Sequence, residues 1–399
     1  MSKVYVIGTL DTKGAELHYA VERVRAAGAE AILVDVGTQG TGEGADVTAA
    51  EIAAHHPQGA TAVLGLTDRG EAVSAMAQAL TVWLSARPDI GAVLGLGGSG
   101  NTAIVTQAMR ALPIGTPKLM VSTVASANVA SYVGPNDIAM MYSVVDVAGL
   151  NAISRRVIGN AANAVAGMAL GAVPVAPSDK PGLGVSMFGV TTACVTMVRE
   201  AMEQTHEVYT FHATGTGGQS MEKLADSGLL SGLIDVTTTE VADLLVGGIF
   251  PCTEDRFGAA IRTGLPYVGS VGAVDMVNFG ARETVPPQFG DRQFHVHNAQ
   301  VTLMRTIPDE NRRIGEFIVS RLNRMSGPVR FLLPLQGVSA IDKTGQTFHD
   351  PRADAALFEA VRTGWQAAPN RHLIELEHHI NDPAFAAALV DNFRAIAKA

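Results

Sequence analysis

Short runs of β-branched and aliphatic residues, most of them closed by glycine, recur along this chain and alternate with alanine-rich stretches of helical period. The first is Lys3–Gly8 (Lys-Val-Tyr-Val-Ile-Gly), followed by a helix predicted over Ala15–Ala27 and stopped by Gly28. Apolar runs of this length suit strands covered on both faces. Strands separated by amphipathic helices are the signature of a parallel sheet. Ala31–Val36, Ala60–Leu64, Gly91–Leu96 and Lys118–Ser122 continue the series as strands. Helices are expected over Ala72–Arg87 and from the loop Gly97–Gly100 through Met109. The predicted fold class is α/β, with two Rossmann-like domains whose mainly parallel sheets are flanked by helices.

The domain boundary shows as a change of composition. Asn151–Leu170 reads as one long helix of small residues, and residues 171–182 form the most proline-rich segment of the chain. The expected division is a nucleotide-binding domain over 1–178 and a substrate or partner domain over 179–399. Strands then resume at Leu183–Phe188, Val208–His212, Leu233–Val236, Tyr267–Val271 and Val329–Leu333, with helices at Val195–Met202 and from Gly217 through Ala225. Two such units in tandem are expected to leave a ligand-binding cleft between them.

Composition narrows the function classes. The 399 residues are 47% hydrophobic and 17% charged, which excludes a disordered chain. A net charge of −9 argues against nucleic acid and acidic lipid as partners. Two cysteines make no disulfide framework, and neither a leader-like segment nor a bilayer-length apolar run is apparent, so a cytoplasmic protein is expected.

The candidate chemistry begins at Gly97-Gly98-Ser99-Gly100-Asn101-Thr102, between an apolar run and an alanine-rich helix. Bare glycines admit an anion to the main chain, the helix start adds its positive end, and Ser99 and Thr102 offer hydroxyls. The loop is neither a Walker P-loop nor a good GxGxxG, and a tight turn that binds nothing would read the same way. Three further polar loops follow expected strands: Thr9-Leu10-Asp11-Thr12-Lys13, Thr38–Gly44 and Thr67-Asp68-Arg69-Gly70. All four would share the carboxyl edge of one sheet, where such folds bind ligands. There Lys13 and Arg69 would neutralise phosphate, and Asp11 or Asp68 would hold magnesium through water. Helix capping is the competing role for each.

In the second domain, Thr214, Gly215, Thr216, Gly217 and Gly218 form a loop suited to a carboxylate or phosphate, with Thr238 and Asn278 as further ligand contacts. His212, Glu240 and Asp275 are the candidates for acid–base work, against structural roles at strand and helix ends. His295 and His297 share one side of an extended segment as a potential metal pair. No third ligand follows at a diagnostic spacing, and no metal is assigned. Cys194 precedes an expected helix start, a position that lowers a thiol pKa.

Gly8-Thr-Leu-Asp-Thr-Lys13, Tyr142-Ser-Val-Val-Asp-Val-Ala-Gly-Leu-Asn151, His212-Ala-Thr-Gly-Thr-Gly-Gly218 and Asp275-Met-Val-Asn-Phe-Gly280 are long motifs in one order. Together with His297-Asn298 and Thr302–Thr306, they resemble the ATP-binding domain family typified by the N-terminal part of the tomato mosaic virus resistance protein. Bacterial members are known as an uncharacterised protein family. The resemblance covers essentially the whole chain. It implies two Rossmann-like domains, ATP held mainly by the first, and a homodimer. Nucleotide contacts carried over fall on Asp11, Thr12, Lys13, the loop near Thr38, Thr67–Gly70 and Gly97–Asn101. The plant protein fuses this region to a barrel domain, so the resemblance also implies a separately encoded barrel partner. Its antiviral role is not carried over. One departure is Phe250-Pro-Cys-Thr-Glu-Asp-Arg256, where a glycine–proline turn is expected.

Three functions remain open at this level. The first is an ATP-dependent enzyme acting with Mg2+ on a small acid or sugar-derived substrate. The second is an ATP-responsive regulatory module, and the third a hydrolase or lyase of an oxo-acid without nucleotide turnover.

Overall fold

A computed structural model describes residues 2–39, 42–171, 173 and 179–397. Residues 40 and 41 of the loop 38–44, and residues 172 and 174–178 of the expected connection 171–182, lie outside the described residues. The chain divides into two compact units, Met1–Ala176 and Pro177–Ala399. Each is α/β with a parallel sheet flanked by helices, as the sequence pattern predicts.

The N-terminal unit runs β1 (Lys3–Gly8), α1 (Leu10–Ala26), β2 (Ala31–Asp35), α2 (Ala49–Ala53), α3 (Thr61–Leu64), α4 (Arg69–Ser85), β3 (Ile90–Gly97), α5 (Ser99–Ala111), β4 (Lys118–Ser122), α6 (Ala130–Val133), β5 (Ala139–Tyr142) and α7 (Ala152–Leu170). Its five strands lie in the order β2-β1-β3-β4-β5 and pair in parallel. Side chains alternate between two cores. Val4, Val6, Leu94 and Leu96 meet α1 and α7 on one face, while Tyr5, Ile7 and Val93 meet α4 and α5 on the other. This double coverage is why the strands are apolar throughout.

One expected strand is a helix. Ala60–Leu64 was predicted as extended, but Thr61–Leu64 forms the single turn α3. β1 already pairs with β2 and β3 on its two sides, so the middle of the sheet has no slot for it. Val63 alone supplies the buried contact. Four apolar residues do not separate helix from strand by period.

The C-terminal unit runs β6 (Gly182–Met187), α8 (Thr192–Met202), β7 (Glu207–His212), α9 (Thr216–Asp226), β8 (Gly232–Thr237), α10 (Thr239–Val246), α11 (Gly258–Thr263) and β9 (Tyr267–Gly272). There follow β10 (Met276–Phe279), β11 (Phe294–Asn298), β12 (Val301–Arg305), α12 (Pro308–Leu322), β13 (Val329–Pro334), α13 (Pro351–Gly364), β14 (Arg371–Leu376) and α14 (Pro383–Ile396). The parallel sheet has the order β14-β13-β9-β8-β6-β7, and a separate antiparallel sheet has the order β10-β12-β11. Within each unit's parallel sheet, the second strand lies outside the first and the later strands extend the other way. The connections therefore reverse direction beside the first strand, and crevices form at the carboxyl ends there. No helix of the described residues is long and apolar enough to cross a membrane.

Candidate functional site

At the carboxyl edge of the first sheet, a pocket of about 430 Å³ opens where the connections reverse, between β1 and β3. Thr9, Asp11, Thr12 and Lys13 reach it from the start of α1, and Thr38 from the loop after β2. Gly98, Ser99, Gly100 and Asn101 come from the start of α5, and Arg69 from α4. Four loops chosen for their chemistry thus contribute to one cavity. Within those loops Thr67, Asp68, Gly70 and Gly97 do not line it. Asp68 caps α4 by accepting the Glu71 N–H at 2.9 Å, which positions Arg69 in the first turn.

The glycines show what the pocket is shaped for. A Cβ on Gly98 would meet nothing nearer than Thr123 Oγ1 at 3.8 Å, and one on Gly100 only Arg69 Nη2 and Val73 Cγ2 at 3.9 Å. Their bare faces open on the cavity rather than on packed protein. No side chain caps α5, so its first-turn N–H groups and positive end are left to whatever enters. Among the described residues neither Lys13 nor Arg69 has an ion pair. Asn101 is buried and donates from Nδ2 to Leu96 O at 2.7 Å, while its Oδ1 has no partner among the described residues. Such an acceptor matches a metal-bound water or a ligand hydroxyl.

Two details differ from expectation. Thr102 is no ligand donor: its hydroxyl is buried against Ser122 Oγ (2.6 Å) and Gly98 O (2.8 Å). Asp35 was missed, although it is the organiser of this edge. Its buried carboxylate accepts the Leu10 N–H at 3.0 Å and the Gly37 N–H at 2.9 Å, tying the loops after β1 and β2 together. A carboxylate closing the apolar run Ala31–Asp35 was the available signal.

The second domain's predicted contacts are mostly committed to its own structure. A Cβ on Gly217 would overlap the His212 carbonyl, and one on Gly218 the Glu240 carboxylate, so close packing accounts for these glycines. Gly215 takes a positive φ of 74° and donates its N–H to Glu240 Oε2 at 2.7 Å. Glu240 is fully buried and pairs with Arg256 Nε at 2.5 Å, which corrects its candidacy as an acid–base group. Arg256 also binds Asp235 at 2.8 Å and Glu222 at 3.1 Å, forming the hub beneath the loop. It lies in the stretch that departs from the expected turn. Asp235, inside the apolar run Leu233–Val236, was the sign in the sequence that a buried cation was needed.

Thr238 is buried against Ser270 O, and Asn278 is buried with its amide on Asp243, so neither faces an opening. Asp275 is fully buried and accepts from Ser339 Oγ at 2.8 Å. Burial, reinforced by the neighbouring Asp342, pushes its carboxyl up to about 7. It belongs to a cluster in which Arg305 binds Asp354 at 2.7 Å, and it is not exposed to a substrate. Cys194 lies inside α8, and burial raises its thiol to about 12, the opposite of the expected activation. Of the other loop residues, His212 and Thr214 line a cavity, whereas Thr216 does not. His295 and His297 lie on β11, and no group of three or more ligating side chains able to hold a metal occurs among the described residues.

The model of the uncharacterised protein family UPF0261 N-terminal domain matches residues 2–174, and that of its C-terminal domain matches residues 180–397. A UPF0261 protein of Mesorhizobium japonicum is 57% identical over 389 residues, covering 98% of each chain. One from Clostridium tetani is 42% identical over 392 residues, covering 97% of each. The ToMV resistance protein Tm-1 of Solanum lycopersicum is 41% identical over 419 residues, which cover 99% of this chain and 56% of the tomato protein.

Proposed function

The chain belongs to the UPF0261 family, and from that premise we propose that its N-terminal unit binds ATP with Mg2+ in the pocket at the β1–β3 edge. One observation carries this proposal. A single cavity joins two cations that have no ion pair among the described residues to glycines whose bare faces open on it, where connections reverse in a parallel sheet. The anionic phosphates match Lys13, Arg69 and the start of α5. Asp11 is the carboxylate lining that cavity and would hold the magnesium ion through its water shell. The unpartnered Asn101 oxygen accepts from that shell or from a ligand hydroxyl. The function proposed is that of an ATP-dependent enzyme acting on a small organic molecule.

Calorimetry of the full chain against ATP, with and without Mg2+, tests the binding. Saturable binding that strengthens with Mg2+ and weakens about tenfold in Lys13→Ala or Arg69→Ala is expected. No heat with any adenine nucleotide at millimolar concentration would overturn it.

A further inference from the structure

The C-terminal unit carries its own pocket at the carboxyl edge, and its chemistry is unlike that of the first. About 360 Å³ in volume, it lies at the ends of β6 and β7, beside the point where this sheet's connections reverse. Phe188 and Gly189 follow β6, and His212 ends β7. His297 and Leu303 overhang from the antiparallel sheet of β11 and β12. We propose that this pocket binds a small carboxylic acid with a compact apolar body, a ring or a branched chain, as the organic substrate of the chain.

The walls specify the body. Phe188, Val190, Phe250, Val301 and Leu303 supply them, and the volume suits a molecule of amino-acid size. Among the described residues no lysine, arginine or carboxylate lines the cavity, so the multiple charge of a triphosphate is unmatched there, whereas the single charge of a carboxylate can be met by neutral N–H donors. The polar groups specify the head. Among the described residues neither the His212 nor the His297 ring has a hydrogen-bond partner. Asn298 spends its Oδ1 on the Gln300 N–H at 2.8 Å and leaves its amide N–H groups available. Imidazole and amide donors without an acid among them match an acceptor-rich, anionic group. Burial holds the His212 imidazole below its ordinary range, so at neutral pH the ring is neutral and still offers one N–H donor.

The overhang is braced rather than loose. Arg305, at the end of β12, donates to Phe348 O and to Asp354 Oδ1, both at 2.7 Å, and is itself buried. That anchor orders the pocket wall before any ligand arrives, which lowers the cost of binding. Gly189 gives a direct lever, because a Cβ there would meet nothing within 4 Å and a larger side chain would occupy the cavity.

The role as substrate rests on the nucleotide proposal, whereas the binding itself is measured without nucleotide. Benzoate, 4-methyl-2-oxopentanoate and the neutral isostere benzamide are titrated into the full chain by calorimetry. At least one acid is expected to saturate a single site at or below about 10 mM, with benzamide about tenfold weaker than benzoate. Gly189→Val, checked for native circular dichroism, should lose about tenfold in acid affinity, while Gly98→Val leaves it unchanged. His297→Ala, at an exposed strand position, should erase the preference for acid over amide whether or not Gly189→Val folds. Failure of both acids to bind, equal binding of benzamide, or insensitivity to His297→Ala and Gly189→Val overturns the proposal. So does acid binding lost in Gly98→Val, which would place the acid in the first unit. ATP titrated into the same variants reports separately on the nucleotide site.

Discussion

Buried carboxyl groups make the C-terminal unit sensitive to pH one residue at a time. Burial pushes Glu222, Asp243 and Asp275 up to about 7 and Asp354 up to about 8. Unfolded carboxyls titrate near pH 4, so across roughly pH 4–8 the folded chain holds protons that the unfolded chain has released. Stability contributed this way is complete at the acid end and is lost as pH rises through about 7–8. The denaturation midpoint should therefore fall between pH 5 and pH 8. Asp275→Asn, which keeps an acceptor for Ser339, should flatten that fall. An unchanged slope in the variant would count against Asp275 as a native-state proton holder. Arg256 marks the opposite hazard, one cation serving three acids. Arg256→Met should destabilise by about 3–5 kcal/mol in urea denaturation, because the acids lose their partner inside the protein. Glu240 and Asp275 stood out in the sequence as candidates for acid–base work. Their partners, Arg256 and the Arg305 cluster, did not, because pairing joins elements far apart along the chain.

At the level of elements, two glycine loops that read alike serve different ends. The loop before α5 faces open space, while the loop before α9 faces the protein. Gly98 has an ordinary φ of −84°, so Gly98→Val should leave the fold intact and weaken ATP binding tenfold or more by obstructing the main chain. Gly218→Ala should do the reverse, since its methyl group meets the Glu240 carboxylate. A stability loss of about 1–3 kcal/mol is expected, with no change in ATP affinity. Thermal melts and ATP calorimetry on both variants separate the two roles, and equal behaviour would refute the contrast. Most strands and the long α7 were legible because glycine stops and apolar runs act locally. The short Thr61–Leu64 segment was not, since its conformation follows from a sheet with no free slot.

For the whole molecule, ATP with Mg2+ should raise the melting temperature. Ligand at a hundredfold excess over Kd adds about 2.7 kcal/mol to the folded state. Scanning calorimetry with and without nucleotide measures this, and an unshifted melt at millimolar Mg2+–ATP would refute it. A dimer is the second expectation at this scale. The small residues Ala161, Ala162 and Ala166 of α7 are used inside the N-terminal unit, in the core shared with α1. Ile153, Met168 and Leu170 remain exposed on the same helix and offer an apolar surface. Light scattering at micromolar concentration should report twice 41.6 kDa, and a species of 41.6 kDa alone would contradict it.

From the order of residues alone followed the α/β class, most of the parallel strands and the loops that gather at the first sheet's edge. These depend on backbone torsions and burial period, which a few consecutive residues specify. Tertiary structure alone decided which polar residues face an opening and which neutralise one another. It withdrew Glu240, Asp275 and Asn278 from the candidate site and gave Asp35 the task of tying two loops together. It also set His212 and His297 around one apolar cavity. Charge pairing and cavity walls are made between segments distant in sequence, so no local pattern records them.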